Sequence, residues 1–202
     1  MKKFSALAVL DFSSIPAGVY AVDTILKKAP IGFIRSGSVT RGRYLVIFGG
    51  STAATAESLD AALAVSGDAI IDHSFLPDVH QMLADAVLGD RKMAGGSLLI
   101  LETATAASIV RAVEAALKGT PVELIEIRLS DTGLAGKGVA FLAGSLPDVE
   151  AAATLAGQGS GDPAHGFSFR LIAAPHETLE RSIAGSTQFD HAQLLELDGE
   201  KG

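Results

Sequence analysis

Apolar runs and amphipathic segments follow one another along the chain in an order that occurs twice. In the first half, four short apolar runs predict buried strands, and two longer segments with apolar positions three and four residues apart predict helices. A shorter helix closes this half. The strands are expected at about 6–12, 31–35, 43–48 and 69–75, and the helices at about 15–28, 52–65 and 77–87.

The second half repeats the first with small shifts in numbering. At an offset of 91 residues Lys27 falls on Lys118. Further along the offset grows to 96, where His80 meets His176. The growth indicates a short insertion in the second copy between positions 128 and 137, and insertions accumulate in exposed loops. The second set of strands is expected at about 97–103, 122–128, 138–143 and 167–173, and the helices at about 106–118, 146–156 and 175–183.

Each copy has the β-α-β-β-α-β order of a ferredoxin-like domain, in which two helices cover one face of a four-stranded antiparallel sheet. The predicted fold class is therefore α/β (α+β), with two tandem domains. We expect the first domain at 1–88, a polar glycine-rich linker at 89–96, the second domain at 97–184 and a tail at 185–202.

The first long helix of each copy carries start and stop signals. Ser14 and Thr105 are placed to cap these helices, and a proline follows shortly after each predicted end. In the first of these helices the apolar residues fall on one side, which we expect to be the buried face. That face consists of Val19, Val22, Ile25 and Leu26.

Composition excludes several classes of protein. The net charge of −7 argues against nonspecific binding of nucleic acid. The absence of cysteine excludes disulfides, cysteine-bound iron–sulfur clusters and cysteine-bound zinc, so we expect no cofactor. No apolar run approaches the roughly 20 residues that a membrane span needs. We therefore expect a cytoplasmic protein that binds neither nucleic acid nor membrane.

Catalytic and metal-binding signatures are missing. The chain has no G-x-S-x-G, phosphate-binding P-loop, Rossmann or H-E-x-x-H motif, so we expect no catalytic residue and no enzyme. Asp72, His73 and His80 fall on a strand end and a short helix instead of one helical face, so no metal site is predicted. Each copy has a glycine-rich turn, at 36–43 and at 130–138. A plain hairpin loop is one interpretation, and a loop whose N–H groups and Arg41 hold an anion is the weaker one.

Four segments together resemble the bacterial microcompartment shell domain. They are ALAVLDF at 6–12, DTILKKAP at 23–30, the glycine-rich turn with its following strand, and IAAPHETLE at 172–180. LPDVH at 76–80 is a weaker first-copy counterpart of the last segment. Two copies in this strand order look like the non-permuted, trimer-forming tandem subclass of that family.

The resemblance implies a homotrimer whose six domains form a pseudohexagonal disc within a microcompartment shell. The disc would tile with hexameric and pentameric shell proteins, and the glycine-rich turns would line a central pore for small metabolites. The residues implied at the pore are Val39, Thr40, Arg41, Gly42, Thr132, Gly133, Leu134, Ala135 and Gly136. Those implied at the edge between tiles are Lys27, Lys118, His80 and His176.

Two points leave this interpretation open. Asp78 and Ala174 stand where the family has an edge arginine, which favours mixed tiling over self-tiling. The alternative function is a ferredoxin-like regulatory trimer that binds a small molecule between its subunits.

Overall fold

The protein is described by a computed structural model over residues 4–93, 95–162, 166–192 and 195. Two four-stranded antiparallel sheets have the equivalent strand orders β2-β3-β1-β4 and β6-β7-β5-β8, so the predicted tandem ferredoxin-like fold is confirmed. The first copy contains β1 (Ala6–Phe12), α1 (Ile15–Lys28), β2 (Phe33–Val39), β3 (Arg43–Gly50), α2 (Thr52–Ser66), β4 (Ile70–Leu76) and α3 (Gln81–Val87). The second contains β5 (Ser97–Thr103), α4 (Ala106–Gly119), β6 (Glu123–Leu129), β7 (Gly138–Gly144), α5 (Leu146–Gly159), β8 (Phe167–Ile172) and α6 (Glu177–Gly185).

The helix start signals act as predicted. The Ser14 hydroxyl accepts a hydrogen bond from the Ala17 N–H at 3.4 Å, and the Thr105 hydroxyl accepts one from the Ser108 N–H at 3.1 Å. Each bond satisfies a backbone donor that the first turn of a helix leaves free. The caps therefore fix where the first helix of each copy begins, α1 in the first copy and α4 in the second.

Alternate residues of each strand face opposite sides of the sheet. In the first copy Leu10 and Phe12 of β1 pack with Ala21 and Ile25 of α1 and with α2. Residues at period two on a strand share one face, so the remaining apolar positions of β1 face away from these helices. The first sheet is therefore apolar on both faces.

The predicted buried face of α1 is wrong in part. Ile25 is fully buried, but Val19 and Leu26 are 51% and 54% exposed. Helix α1 carries two apolar stripes, one against its own sheet and one that faces outward. A periodicity argument that assumes a single core face merges the two stripes.

The second face of the first sheet is covered by the second copy. Leu7 and Val9 of β1 and Leu45 and Ile47 of β3 belong to one apolar cluster with α3 and with the second copy's α4. Helix α4 is thus packed between its own sheet and the sheet of the first copy. The two copies share this core and pack against each other through it.

Charged groups at the same interface are paired. Arg111 of α4 lies 3.0 Å from the carboxylate of Asp72 on β4, and the Thr105 hydroxyl donates to that carboxylate at 2.5 Å. Near the other end of α4, the Glu114 carboxylate accepts a hydrogen bond from the His80 N–H at 3.0 Å. Breaking a buried pair of this kind leaves one charge uncompensated, which costs about 3–5 kcal/mol.

A less well compensated carboxylate, that of Asp11, lies close by on β1. The Asp11 side chain is fully buried, and its nearest charged partner is the Arg43 guanidinium at 3.6 Å. Burial raises the pKa of Asp11 from 3.8 to about 6, although Arg43 and the Ala106 N–H both act to lower it. The folded chain therefore holds this proton more tightly than the unfolded chain.

This difference makes stability depend on pH in a defined direction. Between pH 4 and 7 the folded state binds more protons at Asp11 than the unfolded state, so the wild type loses stability as pH rises. Replacing Asp11→Asn removes that loss. Urea unfolding should show the variant gaining about 2–3 kcal/mol relative to wild type from pH 4 to pH 7. The exposed control Asp60→Asn should follow the wild-type curve, and parallel curves for Asp11→Asn would contradict the assignment.

Candidate functional site

The first glycine-rich segment forms a tight hairpin. Strand β2 continues through most of the segment, and Val39 pairs with Arg43. Only Thr40–Gly42 lies outside the ladder, as a single 3-10 turn. Within it Arg41 has a φ of 66°, in the left-handed region that a non-glycine residue adopts at a cost of about 1–2 kcal/mol. The exposed Arg41 side chain therefore stands at the tip of a strained turn.

The second glycine-rich segment is a longer loop held by its own hydrogen bonds. The Ser130 N–H donates to the Lys137 carbonyl, and the Ser130 hydroxyl donates to the Gly136 carbonyl, both at 2.9 Å. Gly133 and Gly136 have φ values of 92° and 90°, which glycine adopts freely. The predicted insertion is therefore an ordered loop and not a simple extension of the hairpin.

Arg128 anchors this second loop. Its guanidinium donates to both carboxylate oxygens of Asp131, at 2.6 and 3.0 Å, and to the Thr132 carbonyl at 3.2 Å. The hydrogen bonds from Arg128 to Asp131 raise the pKa of Arg128, so its guanidinium stays charged. Such a two-point contact fixes the orientation of the loop.

The C-terminal tail adds to this anchor. The carbonyl of Thr187 accepts from Arg128 at 3.0 Å, and the Gln188 amide donates to Asp131 at 2.9 Å. Sequence reasoning missed these contacts because the tail has no counterpart in the first copy. The sequence feature that pointed to these contacts was the run of polar residues after the last helix.

The chain brings its two glycine-rich loops to one cavity. Val39 and Thr40 of the first loop and Asp131 and Thr132 of the second line a cleft of about 670 Å³ between the copies. Arg43 at the base of the first loop also donates to the Gly136 carbonyl of the second loop at 3.3 Å. The predicted pore residues therefore lie on two loops at the same end of the folded molecule.

Most charges near the loops are neutralised locally. Lys137 pairs with Glu102 of β5 at 2.8 Å, and Asp131 pairs with Arg128. Arg41 forms no ion pair with any residue that the structure describes. Arg41 is therefore the cation that the two loops present to solvent.

The four predicted edge residues form two equivalent pairs, two histidines at the start of the last helix of each copy and two lysines near the end of the first helix of each copy. His80 and His176 cap α3 and α6, and their Nδ1 atoms accept from the Met82 and Thr178 N–H groups at 3.3 and 3.2 Å. Lys118 donates to the Asp78 carbonyl at 2.6 Å, across the interface between the copies.

Lys27, the counterpart of Lys118 in the first copy, is exposed. It donates to Asp23 of the same helix at 2.6 Å. The contact of all four edge residues with a neighbouring tile stays a prediction.

Within the described part of the chain, no cluster of His, Asp and Glu side chains has the arrangement of a metal site. No helix there is both long enough and apolar enough to cross a membrane.

Known proteins of one family share this architecture. The chain matches the BMC domain family at residues 6–79 and again at 97–166, once for each copy. It is 29% identical over 182 residues to the bacterial microcompartment shell protein PduT of Citrobacter freundii, covering 88% of this chain and 97% of PduT.

Solved structures agree with this match. A microcompartments protein from Desulfitobacterium hafniense superposes with a TM-score of 0.77 at 27% identity, covering 88% of this chain and 99% of that protein. A fused permuted hexameric shell protein from the RMM microcompartment has a TM-score of 0.56 at 24% identity, over 77% and 83% of the two chains, and supports the fold alone. The chain belongs to the BMC domain family and is a structural shell protein with two BMC domains in tandem.

Proposed function

We propose that the protein is a non-enzymatic tile of a bacterial microcompartment shell, a homotrimer whose glycine-rich loops surround a central pore. The single observation that carries this proposal concerns one interface inside the chain, in which a helix of one copy packs on the sheet of the other. A second helix and a second sheet face of the same kind remain uncovered. Inside the chain, α4 of the second copy covers the open face of the first sheet. The equivalent helix of the first copy and the equivalent face of the second copy's sheet have no partner within the described chain.

The unpartnered helix is α1. At the offset of 91, its residues Val19 and Leu26 correspond to Val110 and Leu117 of α4. Val110 and Leu117 are buried by the first copy, whereas Val19 and Leu26 are more than half exposed. Fully burying an apolar side chain of this size contributes roughly 1.5–3 kcal/mol, and about half of that is left unrealised at each of these half-exposed positions. The outward stripe of α1 therefore has the character of an interface.

The unpartnered sheet face belongs to the second copy. Leu98, Ile125 and Ala143 lie on that face with Ile100 and Phe141. Leu98 and Ala143 pair across the sheet as Leu7 and Gly49 do in the first copy. This face corresponds to the one that α4 covers in the first copy, so it fits α1 of a second chain.

The polar contacts at the end of the helix are repeated as well. Glu114, Lys118 and His80 correspond to Asp23, Lys27 and His176. In the trimer Asp23 would accept from the His176 N–H of the next chain, as Glu114 does from His80. Lys27 would donate to the Ala174 carbonyl and would keep donors free for the predicted tile edge. A head-to-tail contact gives a ring when its rotation closes, and in the proposed ring three chains would supply six domains.

The loops at one end of the cleft would then meet at the ring axis. The first loop would present three copies of Arg41, and the second would contribute Thr132 and Gly133–Gly136. Local pairing of Lys137 and Asp131 leaves Arg41 to set the sign of the charge. A ring of three cations concentrates anions, so this pore would favour small anionic metabolites. Hexameric and pentameric tiles in the bacterial cytoplasm would complete the shell.

The trimer interface can be tested on the outward stripe of α1. Val19→Asp with Leu26→Asp places carboxylates in the interface and should leave the fold intact, because both positions are exposed in the chain. Sedimentation should show wild type as three chains and the double variant as one chain with an unchanged circular dichroism spectrum.

A matched control is Val65→Asp, an exposed apolar position on α2, which should stay trimeric. A monomeric wild type at micromolar concentration, or a trimeric double variant, would refute the interface.

The pore charge can be tested by titrating sulfate into the trimer. Wild type should bind one sulfate per three chains, and Arg41→Ala should weaken this binding at least about tenfold, since hydrogen bonds to charged groups contribute about 1.5–3 kcal/mol. Lys28→Ala removes an exposed cation that does not line the cleft between the two loops, and it should leave the stoichiometry and affinity unchanged. Equal sulfate affinity in Arg41→Ala and wild type would count against Arg41 at the axis.

A further inference from the structure

The cleft between the two copies extends well beyond their loops. From the loops it follows β2 and the facing edge of β6 to the C-terminal end of α3. Its apolar lining is formed mainly by Leu45 and Ile47 of β3 with Ile127 and Leu129 of β6. A cavity of about 670 Å³ with an apolar lining and a few polar groups is typical of a small-molecule site.

Both walls of the cleft belong to one chain. One wall is the face of the first sheet that the second copy covers in part, and the other is β6 of the second copy. None of the apolar residues assigned above to the trimer interface, on α1 or on the open face of the second sheet, lines the cleft. The cleft therefore has both of its walls before any second chain binds.

The first sheet leaves room in the cleft because of Gly37. Gly37 pairs with Leu45 across the sheet, so both residues lie on the face that borders the cleft. A Cβ atom at Gly37 would meet nothing within 4 Å. Gly37 also lies in the regular ladder of β2, so neither packing nor a turn requires glycine there. The position leaves open a space that a side chain would otherwise fill.

The second copy has large side chains at the corresponding places. Arg128 pairs with Val139 across the second sheet as Gly37 pairs with Leu45 across the first. Likewise, Phe141 of β7 stands opposite its neighbour on β5 at the place where β3 of the first copy has an isoleucine. We therefore expect an open cleft only at the interface inside each chain, and three such clefts in a trimer.

Arg35 places an unpaired positive charge at the cleft. It pairs with Ile47 across the sheet and so lies on the same face as Gly37. Arg35 is exposed and forms no ion pair with a residue in the described ranges. The other cation that lines the cleft, Arg128, is neutralised by Asp131. The charge left for a ligand is positive, and a guanidinium binds a carboxylate through two parallel hydrogen bonds.

Thr40 offers a hydrogen-bonding group at the loop end of the cleft. Its hydroxyl is buried and has no hydrogen-bond partner within the described part of the chain. Buried polar groups without a partner are uncommon in folded proteins. Thr40 follows Arg35 by five residues, which separates the two backbone positions by roughly 16 Å at a strand rise of about 3.3 Å per residue. A molecule with a polar group at each end and an apolar middle would match this spacing.

We propose that the cleft binds a small carboxylate with an apolar chain and a terminal hydroxyl group. The carboxylate would pair with Arg35, the chain would lie on Leu45 and Ile47 beside Gly37, and the hydroxyl would meet Thr40. The site shares its preference for anions with the proposed pore but is separate from Arg41, which does not line the cleft. Each chain would hold one such ligand, with or without the trimer.

Calorimetric titration of the full chain with 8-hydroxyoctanoate tests the proposal, with 8-hydroxyoctanamide as the uncharged probe. Wild type should bind one 8-hydroxyoctanoate per chain, at least about tenfold more tightly than the amide, because charge-assisted hydrogen bonds are the stronger ones. The double variant Val19→Asp with Leu26→Asp should bind it as wild type does, because both walls of the cleft lie in one chain. Failure of the trimer proposal would thus leave this result unchanged.

Two variants test the residues that shape and charge the cleft. Gly37→Leu fills the cleft and should abolish binding with an unchanged circular dichroism spectrum, whereas Ala53→Leu on the exposed surface of α2 should bind as wild type does. Arg35→Gln should lower the affinity for 8-hydroxyoctanoate about tenfold and remove the preference over the amide. The exposed control Lys28→Gln should retain both the affinity and the preference.

Thr40→Val tests the hydroxyl end. It should weaken 8-hydroxyoctanoate about fivefold and leave octanoate unaffected, as expected for the loss of one neutral hydrogen bond. Four results would each overturn the proposal. They are no saturable binding in wild type, unaltered binding in folded Gly37→Leu, equal affinity of wild type for acid and amide, and binding that is lost in Arg41→Ala but kept in Arg35→Gln. The last result would place the anion at the pore.

Discussion

Each sheet of this protein is apolar on both faces, and the two helices of its own copy cover only one of them. Leu7 and Val9 on the first sheet and Leu98 on the second lie on the faces that those helices leave open. The cost of exposing such a face is proportional to its apolar area, so a BMC domain of this kind needs a neighbour. The tandem chain supplies one neighbour by itself, and the proposed trimer supplies the other.

The two copies differ in the charged groups that they place at these two interfaces. Within the chain, Arg111 pairs with Asp72, and their side chains are only 20% and 6% exposed. The corresponding residues of the other interface are Tyr20 and Ser168, which are uncharged. A buried ion pair requires accurate geometry to offset desolvation, and covalent linkage helps to provide that geometry. An interface that forms between separate chains gains more from apolar and neutral contacts.

Sequence reasoning succeeded where a local signal has one structural meaning. Alternating strands, the caps at Ser14 and Thr105 and the repeat itself placed every helix and strand of the sheets in the correct order. It failed on Val19 and Leu26, because apolar periodicity is the same for a stripe that packs on its own sheet and for one that awaits a partner. The contacts of Thr187 and Gln188 with the second loop were also missed, since they join segments that are 57 or more residues apart.

The different anchoring of the two loops has a consequence for how the proposed pore would respond to its contents. Arg128 and the tail hold the second loop through side-chain hydrogen bonds on several sides, whereas the first loop is a three-residue turn. Both loops contain left-handed non-glycine residues, Arg41 in the first and Ser130 and Ala135 in the second. Local stability follows the number of such contacts, so we predict that the first loop is displaced at a lower free-energy cost than the second. In a ring of alternating copies, movement of the first loop alone displaces three of the six segments. The pore would then change its radius while keeping threefold symmetry. Six identical loops on six separate chains would not restrict the movement to three alternate loops in this way.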